Sequence, residues 1–92
     1  MKNRRLNRKQ LPRPEVYYRD QLHSLQSGHG KWARALCPFH EDHHPSLSVN
    51  LDHGGWRCFA CGESGDLIRF HSLLYGMTFV EAVDDLGGWS ND

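Results

Sequence analysis

Cys37-Pro38-Phe39-His40 and Cys58-Phe59-Ala60-Cys61 are the two stretches on which the reading of this chain turns. Written as a spacing they are C-x2-H, seventeen intervening residues, then C-x2-C. Two pairs of soft ligands, each pair separated by two residues, suit a tetrahedral Zn²⁺ whose four positions are filled by protein. A two-residue gap lets one tight turn aim both side chains at a single ion. The longer gap is about the length of two strands and a hairpin turn. All three cysteines of the chain lie in the pattern. A site closed in this way does structural work and leaves no position for a catalytic water. The expected cofactor is one structural zinc held by Cys37, His40, Cys58 and Cys61.

Other uses of the same residues fit less well. A disulfide framework wants an even number of cysteines and an oxidising compartment. The chain has three, and its first residues are polar and basic with no apolar signal stretch. A redox reading of Cys58-Phe59-Ala60-Cys61 lacks a surrounding βαβ pattern. His43 and His44 lie close to the first pair and are rival ligands. The C-x2-H spacing favours His40, because Pro38-Phe39 builds the turn. His23, His29, His53 and His71 are expected to be exposed or on helix surfaces.

Ninety-two residues bound the chain to one small domain. An apolar fraction of 38% is low for a fold that must stand on its core alone. A metal staple is the usual remedy at this size, so zinc binding should supply much of the folding free energy. No apolar run approaches the roughly 20 residues of a membrane helix. Reliance on thiolates and the absence of a signal peptide point to the cytoplasm.

The net charge is zero with histidines neutral, but the charge is unevenly placed. Residues 1–20 hold seven Lys or Arg against Glu15 and Asp20. From Thr78 onward Glu81, Asp84, Asp85 and Asp92 have no basic counterpart in sequence. Residues 1–12 read as a flexible basic arm, 13–87 as the folded domain and 88–92 as a C-terminal tail. A basic arm is a common footprint of nucleic-acid binding and equally of a solvated tail.

Local signals predict a small α+β domain, an antiparallel sheet with flanking helices. Pro14 suits the first position of a helix. Tyr18, Leu22 and Leu25 then make an apolar stripe at i, i+4 and i+7. Ser27-Gly28-His29-Gly30 breaks it. Lys31–Leu36, Ser46–Asn50 and Trp56–Phe59 read as strands, with a turn at Asp52–Gly55. Gly62 supplies the positive φ that a metal knuckle often needs. A helix capped by Ser64 or Asp66 should run to about Tyr75 and stop at Gly76, burying Leu67, Phe70 and Leu74. Thr78 and Glu81 form a capping box for a last helix with Phe79, Val83 and Leu86 on its apolar face.

A resemblance now becomes specific. Leu36-Cys37-Pro38-Phe39-His40, Pro45-Ser46, Trp56-Arg57-Cys58-Phe59-Ala60-Cys61-Gly62, Gly65-Asp66, Phe70 and Phe79-Val80-Glu81-Ala82-Val83 resemble the N-terminal zinc-binding domain of bacterial DnaG-type primases. The similarity spans about Arg13 to Leu86. It implies a CHC-type zinc ribbon that binds single-stranded template DNA and helps choose where an RNA primer starts. It implies partners too: a primase polymerase domain or a helicase, and no membrane. In the family, nucleotidyl transfer occurs in a separate domain of the TOPRIM type, whose carboxylates hold Mg²⁺. No such domain follows in these residues, so the chain is expected not to be an enzyme on its own. The sequence departs from the family after the ligand histidine. A basic position is His43, largely neutral at pH 7, and an aromatic position is Leu47.

Single-strand binders combine a positive groove with aromatic faces on which bases stack. Lys31, Trp32 and Arg34 supply that mixture on one strand, Arg57 on another, and His43 beside the metal ligands. These five are the candidate DNA-binding residues, with Arg34 and Arg57 the strongest. Alternation puts Trp56 on the same face as Cys58, hence in the core. The alternative function is a zinc-ribbon adaptor that docks on a replication or transcription protein. An enzymatic reading finds no nucleophile, base and orienter among the motifs.

Overall fold

The computed structural model describes residues 4–41 and 43–91. In chain order the elements are β1 (Arg4–Leu6), a 3-10 turn (Arg8–Gln10), α1 (Pro14–Gln21), β2 (Gln26–Ser27), β3 (Trp32–Ala35), β4 (Leu47–Asn50), β5 (Trp56–Cys58), β6 (Ser64–Gly65), α2 (Leu67–Tyr75), α3 (Phe79–Leu86) and β7 (Trp89–Asn91). Among the described residues no helix is long and apolar enough to cross a membrane.

Strands β2 to β6 form one antiparallel sheet in chain order, β2-β3-β4-β5-β6. Period-two alternation sorts its side chains. Ala33, Ala35, Leu47, Val49, Trp56 and Cys58 are buried. Arg34 faces Ser48, and Ser48 faces Arg57, in a row across the opposite face. Alanines on β3 leave room for a core of large aromatics behind them. Tyr17 and Tyr18 of α1, Phe70 of α2, Trp56 and Phe39 pack edge to face or tilted, with ring centroids 5.0–6.0 Å apart. Such contacts add to area burial because ring edges are positive and faces negative. The polar tips are satisfied. Trp56 Nε1 donates to the Asp66 carbonyl at 2.8 Å, and the Tyr18 hydroxyl donates to the Gly54 carbonyl at 2.5 Å. Gly54 is buried at φ +87°, and a Cβ there would meet Leu67 and Pro14 at 3.4 Å. Only glycine closes this turn without strain.

The two later helices follow their local signals. Asp66 caps α2, accepting from the Arg69 amide, and Gly76 ends it in the left-handed region. Ser64 belongs to β6 instead. Thr78 and Glu81 form the reciprocal capping box on α3. Helix α1 ends sooner than its stripe suggests. Leu22 is already extended, because Gln26 and Ser27 are drawn into pairing with Arg34 and Ala33. Leu22 is buried, and Leu25 still packs on the core from the connection.

Three expectations need correction. The first is the layout of the termini. Residues 4–6 and 89–91 pair as an antiparallel ribbon instead of forming a loose arm and a tail, and the Asn7 amide donates to the Gly88 carbonyl at 2.8 Å. Charge and packing together fasten this end. Arg4 reaches Asp84 at 2.7 Å and lies over the Trp89 ring, while Arg8 reaches Asp66 at 3.3 Å. Leu6, Leu11, Met77, Leu86 and Trp89 cover a second cluster of Ile68, Ala82 and Val83. Asp84 of the acidic end therefore finds in Arg4 a basic partner that its own sequence neighbourhood lacks. Met1, Lys2, Asn3 and Asp92 lie outside the described residues. The second correction is Phe79, which is half exposed because Ala82 and Val83 make the buried face of α3. The third is His71, which is buried between the helices.

Candidate metal centre and outer sheet face

The sheet brings the two ligand turns together at one end. Cys37 follows β3 and Cys58 ends β5, with β4 between them. Each pair is carried by a tight turn. In the second, the Gly62 amide donates to the Cys58 carbonyl at 2.9 Å, with Gly62 at φ +81° as its position in the knuckle requires. One ligand atom from each of Cys37, His40, Cys58 and Cys61 lies within 4.8 Å of all the others. Zn–S and Zn–N bonds of about 2.0–2.3 Å give a tetrahedron with edges under 4 Å, so a small contraction around the ion closes the site. Cys37 and Cys58 are buried, His40 is half-buried and Cys61 is exposed. His43 and His44 are exposed and stand outside the cluster.

The surroundings prepare these atoms for a cation. His40 Nδ1 lies 3.0 Å from the Glu41 carbonyl. A carbonyl only accepts, so Nδ1 carries the proton and Nε2 offers its lone pair, 3.3 Å from Cys58 Sγ. Burial pushes the Cys58 thiol up, but hydrogen bonds led by the Cys61 amide and the Ser46 hydroxyl outweigh it and bring it down to about 6. Burial pushes Cys37 up to about 12; the Phe39 amide opposes this, and the neighbouring Cys58 and Cys61 add to it. One thiolate thus forms readily and raises the cost of the next. A divalent cation removes that conflict. The donor set, its closeness and the fixed histidine tautomer fit one structural zinc, with no ligand position left for chemistry.

The opposite face of the sheet carries most of the remaining candidates. Arg34 and Arg57 flank Ser48 across β3, β4 and β5, and all point away from the core. Trp32 is 40% exposed on the same side, whereas Trp56 is buried as alternation requires. A groove of about 300 Å³ is lined by Trp32, Arg34, Ser48, Arg57 and Phe59, with Gly28 and His29 at its end. Lys31 is exposed in the turn before β3 and does not line it. His43 also lies elsewhere, in the loop before β4 and 3.7 Å from Glu41 in a fully solvated pair. Phe59 escaped the sequence reading. It is 64% exposed, and the Arg57 guanidinium sits 5.3 Å from its ring centroid. Its signal was its position between two ligands, where a turn tethered to metal has no core to enter.

Comparison with known proteins agrees with this architecture. A family model of the CHC2 zinc finger, the DnaG zinc ribbon, matches residues 20–91. The chain is similar to the DNA primase of Mycolicibacterium smegmatis, 45% identical over 51 residues, which is 55% of this chain and 8% of that protein. It is similar to the DNA primase of Helicobacter pylori, 48% identical over 52 residues, or 56% of this chain and 9% of that one. For the DNA primase of Streptomyces coelicolor the figures are 41% over 64 residues, 70% and 10%. The solved structure of the Aquifex aeolicus primase, with its zinc-binding and RNA polymerase domains, superposes with a TM-score of 0.71 at 33% identity. That match covers 86% of this chain and 20% of that one. The chain therefore spans about a tenth of the length of the curated relatives it matches.

Proposed function

The chain belongs to the CHC2 zinc-finger family of DnaG-type primases, and on that premise we propose that it is a zinc-stabilised module that binds single-stranded template DNA during primer synthesis. Membership supports a DnaG-like role in DNA replication. The observation that carries the DNA reading is the outer face of the sheet. Two arginines stand on one cross-strand row with only serine between them, and Trp32 and Phe59 are exposed beside them. Positive charge next to aromatic faces is the chemistry that holds a single strand: phosphates pair with the guanidinium groups and bases stack on the rings. The zinc cluster at the end of β3 and β5 keeps this face rigid, since both strands run directly into ligand turns.

In this reading the module recognises template, and nucleotidyl transfer belongs to a polymerase domain such as the one in the Aquifex structure, acting in the cytoplasm with a replicative helicase as a further partner. The zinc-loaded protein should bind a labelled oligodeoxynucleotide, with log affinity falling linearly against log salt by about 0.7 for each phosphate contact. Salt-independent binding to a replication or transcription protein, with no affinity for DNA, would instead make the module an adaptor.

A further inference from the structure

Among the described residues eight large apolar side chains stay exposed, and three of them, Tyr75, Phe79 and Val80, lie within six positions where α2 turns into α3. Trp32 and Phe59 belong to the outer groove, but this corner has no use so far. Its three side chains are 52%, 51% and 57% exposed. Phe79 is in line with Val83 and Leu86, one and two turns further along α3, yet only those two reach the apolar clusters. The corner is also rigid. Gly76 turns in the left-handed region, the Met77 amide donates to the Ser72 carbonyl at 2.9 Å, and the Thr78–Glu81 capping box fixes the start of α3. The Tyr75 and His71 ring centroids are 4.8 Å apart, and the Tyr75 hydroxyl donates to Gln21 Oε1. A single exposed apolar residue is ordinary, whereas a group of them marks a contact surface. Side chains already held in place lose little freedom when a partner covers them.

Charge decides what covers it. From Phe70 to Asp92 the chain has no Lys or Arg. Glu81 and Asp85 stand one turn apart on the same side of α3. Hydrogen bonds from Thr78 hold the Glu81 carboxyl below its usual range, so it stays ionised. Asp85 accepts from His71 and still has 54% of its side chain exposed. The surface is thus apolar with an anionic rim. It repels nucleic-acid phosphates, and two copies set against each other would bring like charges together. It attracts a protein that pairs an apolar stripe with cations. We propose that the α2–α3 corner is a docking site for a protein partner that presents an amphipathic helix flanked by Lys and Arg, with Tyr75, Phe79 and Val80 as its apolar contacts and Glu81 and Asp85 as its ion-pairing rim. Helix α2 packs on the inner side of the sheet, Phe70 against Trp56, while the groove of Arg34 and Arg57 lies on the outer side. The two surfaces can therefore be occupied together, and the docking site stands whether or not the outer face binds DNA.

The test uses the zinc-loaded 92-residue chain and a fluorescein-labelled peptide of about 18 residues, long enough to hold a helix, whose leucine stripe is flanked by lysines. A counterpart carries glutamates in place of the lysines. The lysine peptide should bind at micromolar concentration, and the glutamate peptide about tenfold more weakly or worse. F79S and V80S should each weaken the lysine peptide about fivefold or more, since each removes apolar surface that the helix covers. Both positions are exposed, so zinc content and the melting transition should match those of the parent chain. E81Q keeps the capping box and removes the charge; it should weaken binding about two- to fivefold, the range of one exposed ion pair. Lack of binding by the lysine peptide, equal binding of both peptides, or binding that F79S and V80S leave intact overturns the docking site. Sedimentation that shows the chain alone as a dimer, dissociated by F79S, overturns the basic-helix partner and assigns the corner to a second copy.

Discussion

His71 Nε2 stands 2.6 Å from Asp85 Oδ2, joining α2 to α3 through an imidazole that is itself buried. On its other side Nδ1 lies 2.7 Å from the Tyr17 hydroxyl of α1. The carboxylate only accepts, so Nε2 carries the proton and Nδ1 receives the Tyr17 O–H. Burial, reinforced by Tyr75 and Asp85, raises the Tyr17 pKa and keeps that donor protonated. One ring on α2 thus satisfies polar groups on both α1 and α3.

Replacing His71 should therefore cost more than an exposed helix histidine would. His71→Ala opens a cavity and strands the Tyr17 hydroxyl, for about 2–4 kcal/mol of stability. Asp85→Asn keeps an acceptor in place and should cost about 1 kcal/mol. Denaturant unfolding of the zinc-loaded variants measures both; equal and negligible losses would show that the network does not hold the helices.

A core of this size should depend on zinc for much of its stability. Cys58→Ser should leave purified protein without its metal and without a cooperative thermal transition. Ser46→Ala is a subtler probe. The Ser46 hydroxyl lies 3.5 Å from Cys58 Sγ, and its loss should weaken zinc binding about tenfold with the fold retained. Competition with a chromogenic chelator reads both effects.

The pH dependence of the centre follows from the direction of the Cys58 shift. Its folded pKa is depressed from 9.0 to about 6, so its contribution is present above the unfolded value and is lost as pH falls through about 6. Cys37 has the opposite sign: its raised value favours the folded thiol below 9.0 and is lost as pH rises through about 12. Zinc requires both as thiolates, so binding releases protons and weakens in acid. Zinc affinity, read by chelator competition across a pH series, should fall more steeply below about pH 6, where Cys58 of the metal-free site becomes protonated. An affinity unchanged between pH 8 and about 5 would contradict this.

Arginines and aromatics on the outer face should separate in a salt titration. Arg34→Ala and Arg57→Ala should weaken single-strand binding and flatten the salt slope by up to about 0.7 each. Trp32→Ala and Phe59→Ala should weaken it by about 1–3 kcal/mol per stacked base with the slope kept. His43→Lys, outside the groove, should change little. Anisotropy of a labelled oligonucleotide distinguishes these patterns.

Removal of residues 1–10 should lower stability more than it lowers DNA affinity. Leu6 covers the second apolar cluster, and Arg4 and Arg8 are engaged with Asp84 and Asp66. Arg4→Ala alone should cost under about 1 kcal/mol, because the pair is exposed and screened. A deletion that left the melting temperature unchanged and flattened the salt slope would restore the free-arm picture.

The ligand set, the strand alternation that buries Trp56, the caps at Asp66 and Thr78 and the stop at Gly76 were all legible in the chain. Each depends on residues within a few positions of one another, where bond geometry and side-chain periodicity leave few choices. Arg34, Arg57 and Trp32 were likewise readable as outward-facing, since alternation along one strand settles the side. What the linear order could not disclose is which distant segments meet. Arg4 is eighty positions from Asp84, and His71 is fourteen from Asp85 and fifty-four from Tyr17. A charge run reads as solvated until packing supplies its counter-ions, and a histidine reads as surface until two other helices close over it. Phe59 differs: its ring meets Arg57 only two positions away, and what the pairing of β3, β4 and β5 adds is Arg34 and Ser48 beside them, which makes the four line one groove. Short-range stereochemistry is written in neighbouring residues, whereas burial and pairing are properties of surfaces that exist only after the chain has folded.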